Sequence, residues 1–150
     1  MKIEDAIKAS KEMPLPTKTI INLMYTSRIV EEQVAQELKP FDLSIQQYNV
    51  LRILRGQKDA PANLSTINER MVDRSSNTTR LVDKLITKGW VRRQVCKQNR
   101  RKVEIFITGE GKELLAELDS ITEANNAAII ENLKSEELQQ LNSLLDALRS

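Results

Sequence analysis

Between residues 91 and 107 the sequence reads VRRQVCKQNRRKVEIFI, two short alternating runs on either side of a polar, basic stretch. Val91, Arg93 and Val95 share one face of the first run, and Val103, Ile105 and Ile107 share one face of the second, which is the period-two pattern of strands. The intervening KQNRR offers nothing to a core, so the segment is expected to form a β-hairpin with a basic tip. The rest of the chain is patterned for helix. The fold class that follows is mainly α with a small β-hairpin.

Directly before the hairpin, SSNTTRLVDKLITKG opens with Ser75 and Ser76 as candidate N-caps. It shows Leu81, Val82, Leu85 and Ile86 as an apolar face and closes with Lys88 and Gly89. Upstream of it, STINERMV places Ile67 and Met71 four apart, enough for a helix of about two turns. LSIQQYNVLRILRG has Ser44 and Gln47 at capping-box spacing, Tyr48, Leu51 and Leu54 every three residues, and Gly56 placed to terminate. QKDAPAN reads as a polar loop. A longer helix is expected from Thr17, as N-cap, to Lys39 before Pro40, with Ile20, Leu23, Met24, Ser27, Val34 and Leu38 as its stripe. Residues 1–16, ending MPLP, form either an arm or a separate short helix, since Pro14 and Pro16 interrupt continuation. Past the hairpin, the leucines and isoleucines from Leu114 to Ile130 mark a long helix from Glu110. Leu138, Leu141, Leu144, Leu145 and Leu148 mark a last one.

At 150 residues, 40% hydrophobic and 29% charged, the chain suits one globular domain. No window approaches the roughly 18 apolar residues of a membrane span, and the N-terminus has no signal-peptide core, so a cytoplasmic protein without membrane contact is expected. There are no histidines and a single cysteine. That removes the commonest metal ligand, the usual general base and any internal disulfide, and no Gly-rich phosphate loop is present. Neither an enzyme, a metal site nor a cofactor is expected. Charge is uneven along the chain. Residues 1–69 hold nine basic and nine acidic side chains, residues 70–102 eleven and two, and residues 103–150 three and ten. A basic middle third beside an acidic tail points either to a polyanion-binding face or to a solvated surface.

Two short helices joined by a tight turn, the second followed by a basic hairpin, form a winged helix-turn-helix. In that arrangement the second helix enters the major groove of double-stranded DNA, and the hairpin tip reaches phosphates and the neighbouring minor groove. Asn77, Thr78, Thr79 and Arg80 are of the types that bond base edges or phosphates. With Ser75, Ser76, Lys84, Arg100, Arg101 and Lys102 they make up the candidate DNA-binding set.

At these residues the sequence resembles the MarR family, dimeric winged-helix regulators named for multiple antibiotic resistance. The likeness runs from Thr17 to Ser150 through LSIQQYNVLRILRG, TTRLVDKLITKGWVRR, NRRKVEIFIT and ITGEGKELL, with TRLVDKLITKGWV the most specific piece. The resemblance implies one domain over residues 1–150, with dimerisation helices in 1–38 and 109–150 and a winged helix-turn-helix in 44–108. It also implies that Ser76 to Arg80 lie on the recognition helix and that Arg101 is the wing-tip arginine of the minor groove. Ligands in the family lie between the dimerisation and DNA-binding parts, here the region of Met24, Tyr25, Tyr48 and the start of the helix after the hairpin. Two positions depart from the family pattern. Asn99 replaces the aspartate that would pair with Arg101, leaving a neutral hydrogen bond, and Asp73 stands where an apolar residue would pack the turn.

Several residues carry two readings. Arg80 is a phosphate clamp or a solvated arginine, and Trp90 and Tyr48 stack on a ligand or pack the core. Cys96, flanked by Arg93 and Lys97, is an oxidant sensor or a passive thiol; the family's peroxide sensors carry their cysteine in the first helix, where this chain has none. The function expected is a homodimeric regulator, most simply a repressor, that binds a pseudo-palindromic operator and releases it on meeting a small-molecule effector or an oxidant. The alternatives are a non-specific architectural DNA binder, a protein-interaction winged helix, and an RNA binder. The last would need interleaved exposed aromatics that this sequence lacks.

Overall fold

The computed structural model describes residues 1–150. A one-turn helix α1 (Ile3–Ala6) precedes the long α2 (Leu15–Leu38), a 3-10 turn at Lys39–Phe41, and three shorter helices, α3 (Ile45–Gly56), α4 (Leu64–Arg70) and α5 (Thr78–Thr87). The hairpin β1 (Val91–Val95) and β2 (Val103–Ile107) follows, and then α6 (Gly109–Ile129) and α7 (Ser135–Leu148). The chain is mainly α with one antiparallel hairpin, as the periodicity required. None of its helices is long and apolar enough to cross a membrane.

Local chemistry sets most of the boundaries. Ser44 and Gln47 close the capping box on α3, with the Ser44 Oγ accepting from the Gln47 amide at 3.0 Å and the Gln47 Oε1 from the Ser44 amide at 3.1 Å. Asn63 caps α4 by accepting from the Thr66 amide at 2.7 Å, and Thr108 caps α6 through Gly111 at 3.1 Å. Helix α2 begins two residues before the expected Thr17 cap, because Pro16 falls in the first turn, where its missing N–H has no partner to lose. Of the two readings for residues 1–16, the short helix holds: α1 buries Ile3, and Glu4 pairs with Lys18 of α2.

The hairpin pairs Val91 with Ile107, Arg93 with Ile105 and Val95 with Val103. Its outer edge is also covered. Ala62, in the stretch read as a polar loop, bridges to Ile105 in both directions at 3.0 and 2.8 Å. Strand β2 is therefore flanked on both sides at its middle residue, Ile105. Two glycines shape the flanking turns. Gly89 ends α5 at φ 80°, and at Gly111 a Cβ would sit 2.4 Å from the Trp90 carbonyl oxygen, so α6 can approach the hairpin only with glycine there.

One cluster of fifteen buried residues runs from Leu38 to Leu118 and joins the end of α2, the three short helices, the hairpin base and the first half of α6. Outside it, α2 contributes no buried residue before Leu38 and α7 none at all.

Candidate nucleic-acid interface

The turn between α4 and α5 is built around Asp73. Its carboxylate accepts from the Ser75 hydroxyl at 2.6 Å, the Ser75 amide at 2.9 Å and the Gln46 side-chain amide at 3.3 Å. These bonds, the Ser75 hydroxyl foremost, hold the carboxyl below the usual aspartate range. A polar knot thus takes the place of the apolar residue expected at this position. Arg74 closes the preceding helix by donating to the Glu69 carbonyl at 2.9 Å.

The start of α5 differs from the sequence reading. Neither Ser75 nor Ser76 is its N-cap. Asn77 is, its Oδ1 accepting from the Arg80 amide at 3.1 Å. Ser76 and Asn77 therefore precede the recognition helix rather than lie within it. Thr78 is turned inward, 7% exposed, and its hydroxyl donates to the Asn68 Oδ1 at 3.1 Å, so it locks α5 onto α4 and presents nothing to solvent. The Ser76 hydroxyl is buried without a partner. That leaves Thr79, Arg80 and Lys84 as exposed side chains of α5 with no bond inside the chain. Asp83, one residue before Lys84, is bound to Arg93 of β1 at 3.1 Å and ties the helix to the hairpin.

The six charges of the hairpin divide into two groups. Arg93 is held by Asp83, and Arg92 lies 4.1 Å from the Phe106 ring centroid while bonding Gln94 at 3.0 Å. The other four, Lys97, Arg100, Arg101 and Lys102, are exposed at the tip and have no acidic partner. Asn99 does not touch the Arg101 guanidinium. Its Oδ1 accepts from the Arg101 backbone amide at 3.1 Å and its carbonyl from the Lys102 amide at 2.9 Å, so the tip is closed as a turn with its side chains outward. Cys96 lies at the base of this turn, half-buried beside Pro61 and Val103.

The three residues proposed to hold a ligand are not brought to one cavity. Met24 lines a groove with Leu23, Leu145 and Leu148, while Tyr48 packs against the core with Arg52 over its ring, 5.8 Å from the centroid. Tyr25 and Tyr48 line neither that groove nor the larger cleft of about 700 Å³ that lies between the end of α2, the start of α3 and α5. Lys39, Lys84 and Lys88 line this cleft. Lys39 and Lys88 were missed in the sequence, although Lys88 follows Lys84 by one helical turn and that spacing is itself a signal.

A helix-turn-helix whose second helix carries unpaired polar and basic side chains, followed by a tied, basic-tipped hairpin, defines a winged helix-turn-helix protein. Residues 43–103 match the MarR family model. The transcriptional regulator PecS of Dickeya dadantii is 29% identical over 133 residues, covering 87% of this chain and 79% of that protein. A MarR transcription factor from Planctomyces limnophilus is 28% identical and superposes with a TM-score of 0.71 over 91% of this chain and 99% of that one. A mutant MarR from E. coli complexed with operator DNA shares the fold, with 22% identity and a TM-score of 0.76 over 89% of this chain and 94% of that one. Over residues 43–103 the chain carries a segment that matches the MarR family, and along most of its length it is similar to MarR-type winged-helix transcription regulators.

Proposed function

We propose that the protein is a homodimeric, sequence-specific repressor that binds a pseudo-palindromic operator in double-stranded DNA and leaves it when a small ligand or an oxidant changes the spacing of its two recognition helices. The observation that carries this reading is the set of exposed, unpartnered side chains on two elements fixed to one another: Thr79, Arg80 and Lys84 on α5, and Arg100, Arg101 and Lys102 at the wing tip, with Asp83–Arg93 as the tie. Arg80 is then a DNA contact rather than a solvated arginine. Asn77, exposed at the helix N-terminus, would meet phosphate or base edges at the point where the helix dipole favours anions, whereas the Ser76 hydroxyl is buried away from them.

The domain division proposed is 44–108 for DNA binding and 1–38 with 109–150 for dimerisation. It is supported by the apolar side chains left open on the outer helices, with Leu15 at 74%, Met24 at 68% and Leu144 at 62% exposure. Operator symmetry needs such a dimer, since two recognition helices must lie one DNA turn apart, roughly 34 Å. The protein acts by binding alone, in the cytoplasm, without a catalytic step. Selection of bound fragments from genomic DNA tests the reading. Fragments clustered upstream of one or a few genes, bound well above random duplex, are expected; uniform recovery would point to an architectural binder instead.

A further inference from the structure

The cleft of about 700 Å³ beside α5 is lined by three lysines and a single acid. Lys39 lines it from the C-cap of α2, Lys84 from the last turns of α5 and Lys88 from the C-cap of α5. Gln47, only 7% exposed, also lines it. The Gln47 Oε1 is taken by the Ser44 amide at 3.1 Å and by the Lys88 Nζ at 3.5 Å, whereas its side-chain NH2 donates to no group of the chain. The Ser44 Oγ accepts the capping bond, which leaves its O–H free to donate. The single acid on the rim is Asp42, whose side chain is almost wholly exposed and whose carboxylate and carbonyl both hold Lys88. Three ammonium groups and an almost fully buried amide donor against one carboxylate leave the cleft short of acceptors.

We propose that this cleft is an oxyanion site for a phosphate group, held by Lys39, Lys84 and Lys88 and oriented by the Gln47 amide. Two sources share that chemistry. One is a free phosphate-bearing small molecule, which would compete with Asp42 for Lys88 and take Lys84 out of reach of DNA. The other is a backbone phosphate of the strand flanking the recognition helix. Lys84 makes the second source geometrically natural, because it also lines a smaller pocket with Arg80 and Asn77, in which Asp73 is the only acid, so Lys84 joins the two hollows beside α5. Only this second source rests on the DNA-binding reading above.

The test uses the full-length protein labelled with nitrogen-15 and titrated with inorganic phosphate in exchange for chloride at constant ionic strength. Saturable movement of the Gln47 side-chain amide resonances is expected, weakened at least tenfold in Lys39→Gln/Lys88→Gln and unchanged in Lys11→Gln. Lys39→Gln alone, at an exposed helix end, serves if the double variant does not fold. The second arm measures operator affinity against salt. If the strand supplies the phosphate, the double variant flattens the log–log slope by up to about 0.9, for the one phosphate left without its lysines, even where free phosphate binds too weakly to saturate. If a free ligand supplies it, saturating phosphate displaces the operator from the wild type but not from the double variant. The alanine variant of Arg100, Arg101 and Lys102 is the reference that separates failures. If it loses salt slope while the cleft variants change neither slope nor phosphate response, the cleft proposal falls and the DNA reading stands. If phosphate saturates Gln47 while no variant alters DNA binding, the site stands and the DNA reading falls.

Discussion

At residue scale, Asn77 carries two duties that can be separated. As the N-cap of α5 it supplies an acceptor for the Arg80 amide, and in the proposed DNA complex its side-chain amide would be a base contact. Serine is an equally good cap but lacks the amide. Asn77→Ser should therefore keep the thermal midpoint while reducing preference for operator over random duplex by about 1–3 kcal/mol; Asn77→Ala should lose about 1 kcal/mol of stability as well. Denaturation and competition binding on the two variants check both halves. Asp73 makes a prediction of opposite character. Its carboxyl is held below its ordinary value by the Ser75 hydroxyl and amide and by Gln46, so it binds a proton less readily folded than unfolded. The stability it contributes is complete above the unfolded value of about 3.9 and is lost as pH falls through the lower native value. Wild type should exceed Asp73→Ala in urea midpoint near neutrality, and the difference should close only in strong acid. In the sequence the cap of α5 is expected at Ser75 or Ser76, whereas the cap is Asn77. The choice is made by Asp73 claiming Ser75 and by Thr78 reaching Asn68, and periodicity connects neither pair.

At element scale the wing is a tip of four free charges on a base whose two arginines are already engaged. Replacing Arg100, Arg101 and Lys102 with alanine should weaken operator binding and lower the salt slope by about 0.9 for each phosphate no longer neutralised. Wild-type affinity and slope in that variant would mean a solvated hairpin. Since Asn99 fixes the turn through the backbone, the Arg101 side chain keeps its rotamer freedom in the free protein, and in the proposed complex DNA would order it. Much of this level was legible beforehand: strict alternation located both strands, and Ser44 with Gln47 at capping-box spacing located the start of α3. The Ala62 bridge was not, because a single residue paired to β2 leaves no period in the sequence. The start of α2 was misplaced because two prolines look like a stop, while one of them is well suited to a first turn.

At the scale of the whole molecule the proposed dimer rests on faces the monomer leaves uncovered. Truncation after Leu133 removes the leucines of α7 and should give a monomer or an insoluble chain. A truncated protein that remains soluble and dimeric by light scattering, with unchanged operator affinity, would place the interface elsewhere. The apolar stripes of α2 and α7 were legible as helical periodicity, but a stripe does not say whether its cover is the same chain or another; only the exposure of Leu15, Met24 and Leu144 in the folded chain bears on that. The confinement of the buried cluster to residues 38–118 has a further thermodynamic consequence. Order in the outer helices would come from association, and order in the centre from the chain's own core. Dilution should therefore lower the melting temperature of the first without moving the second. At micromolar protein the two would melt together. Near the dissociation constant a calorimetric scan should split into a concentration-dependent step followed by a concentration-independent one.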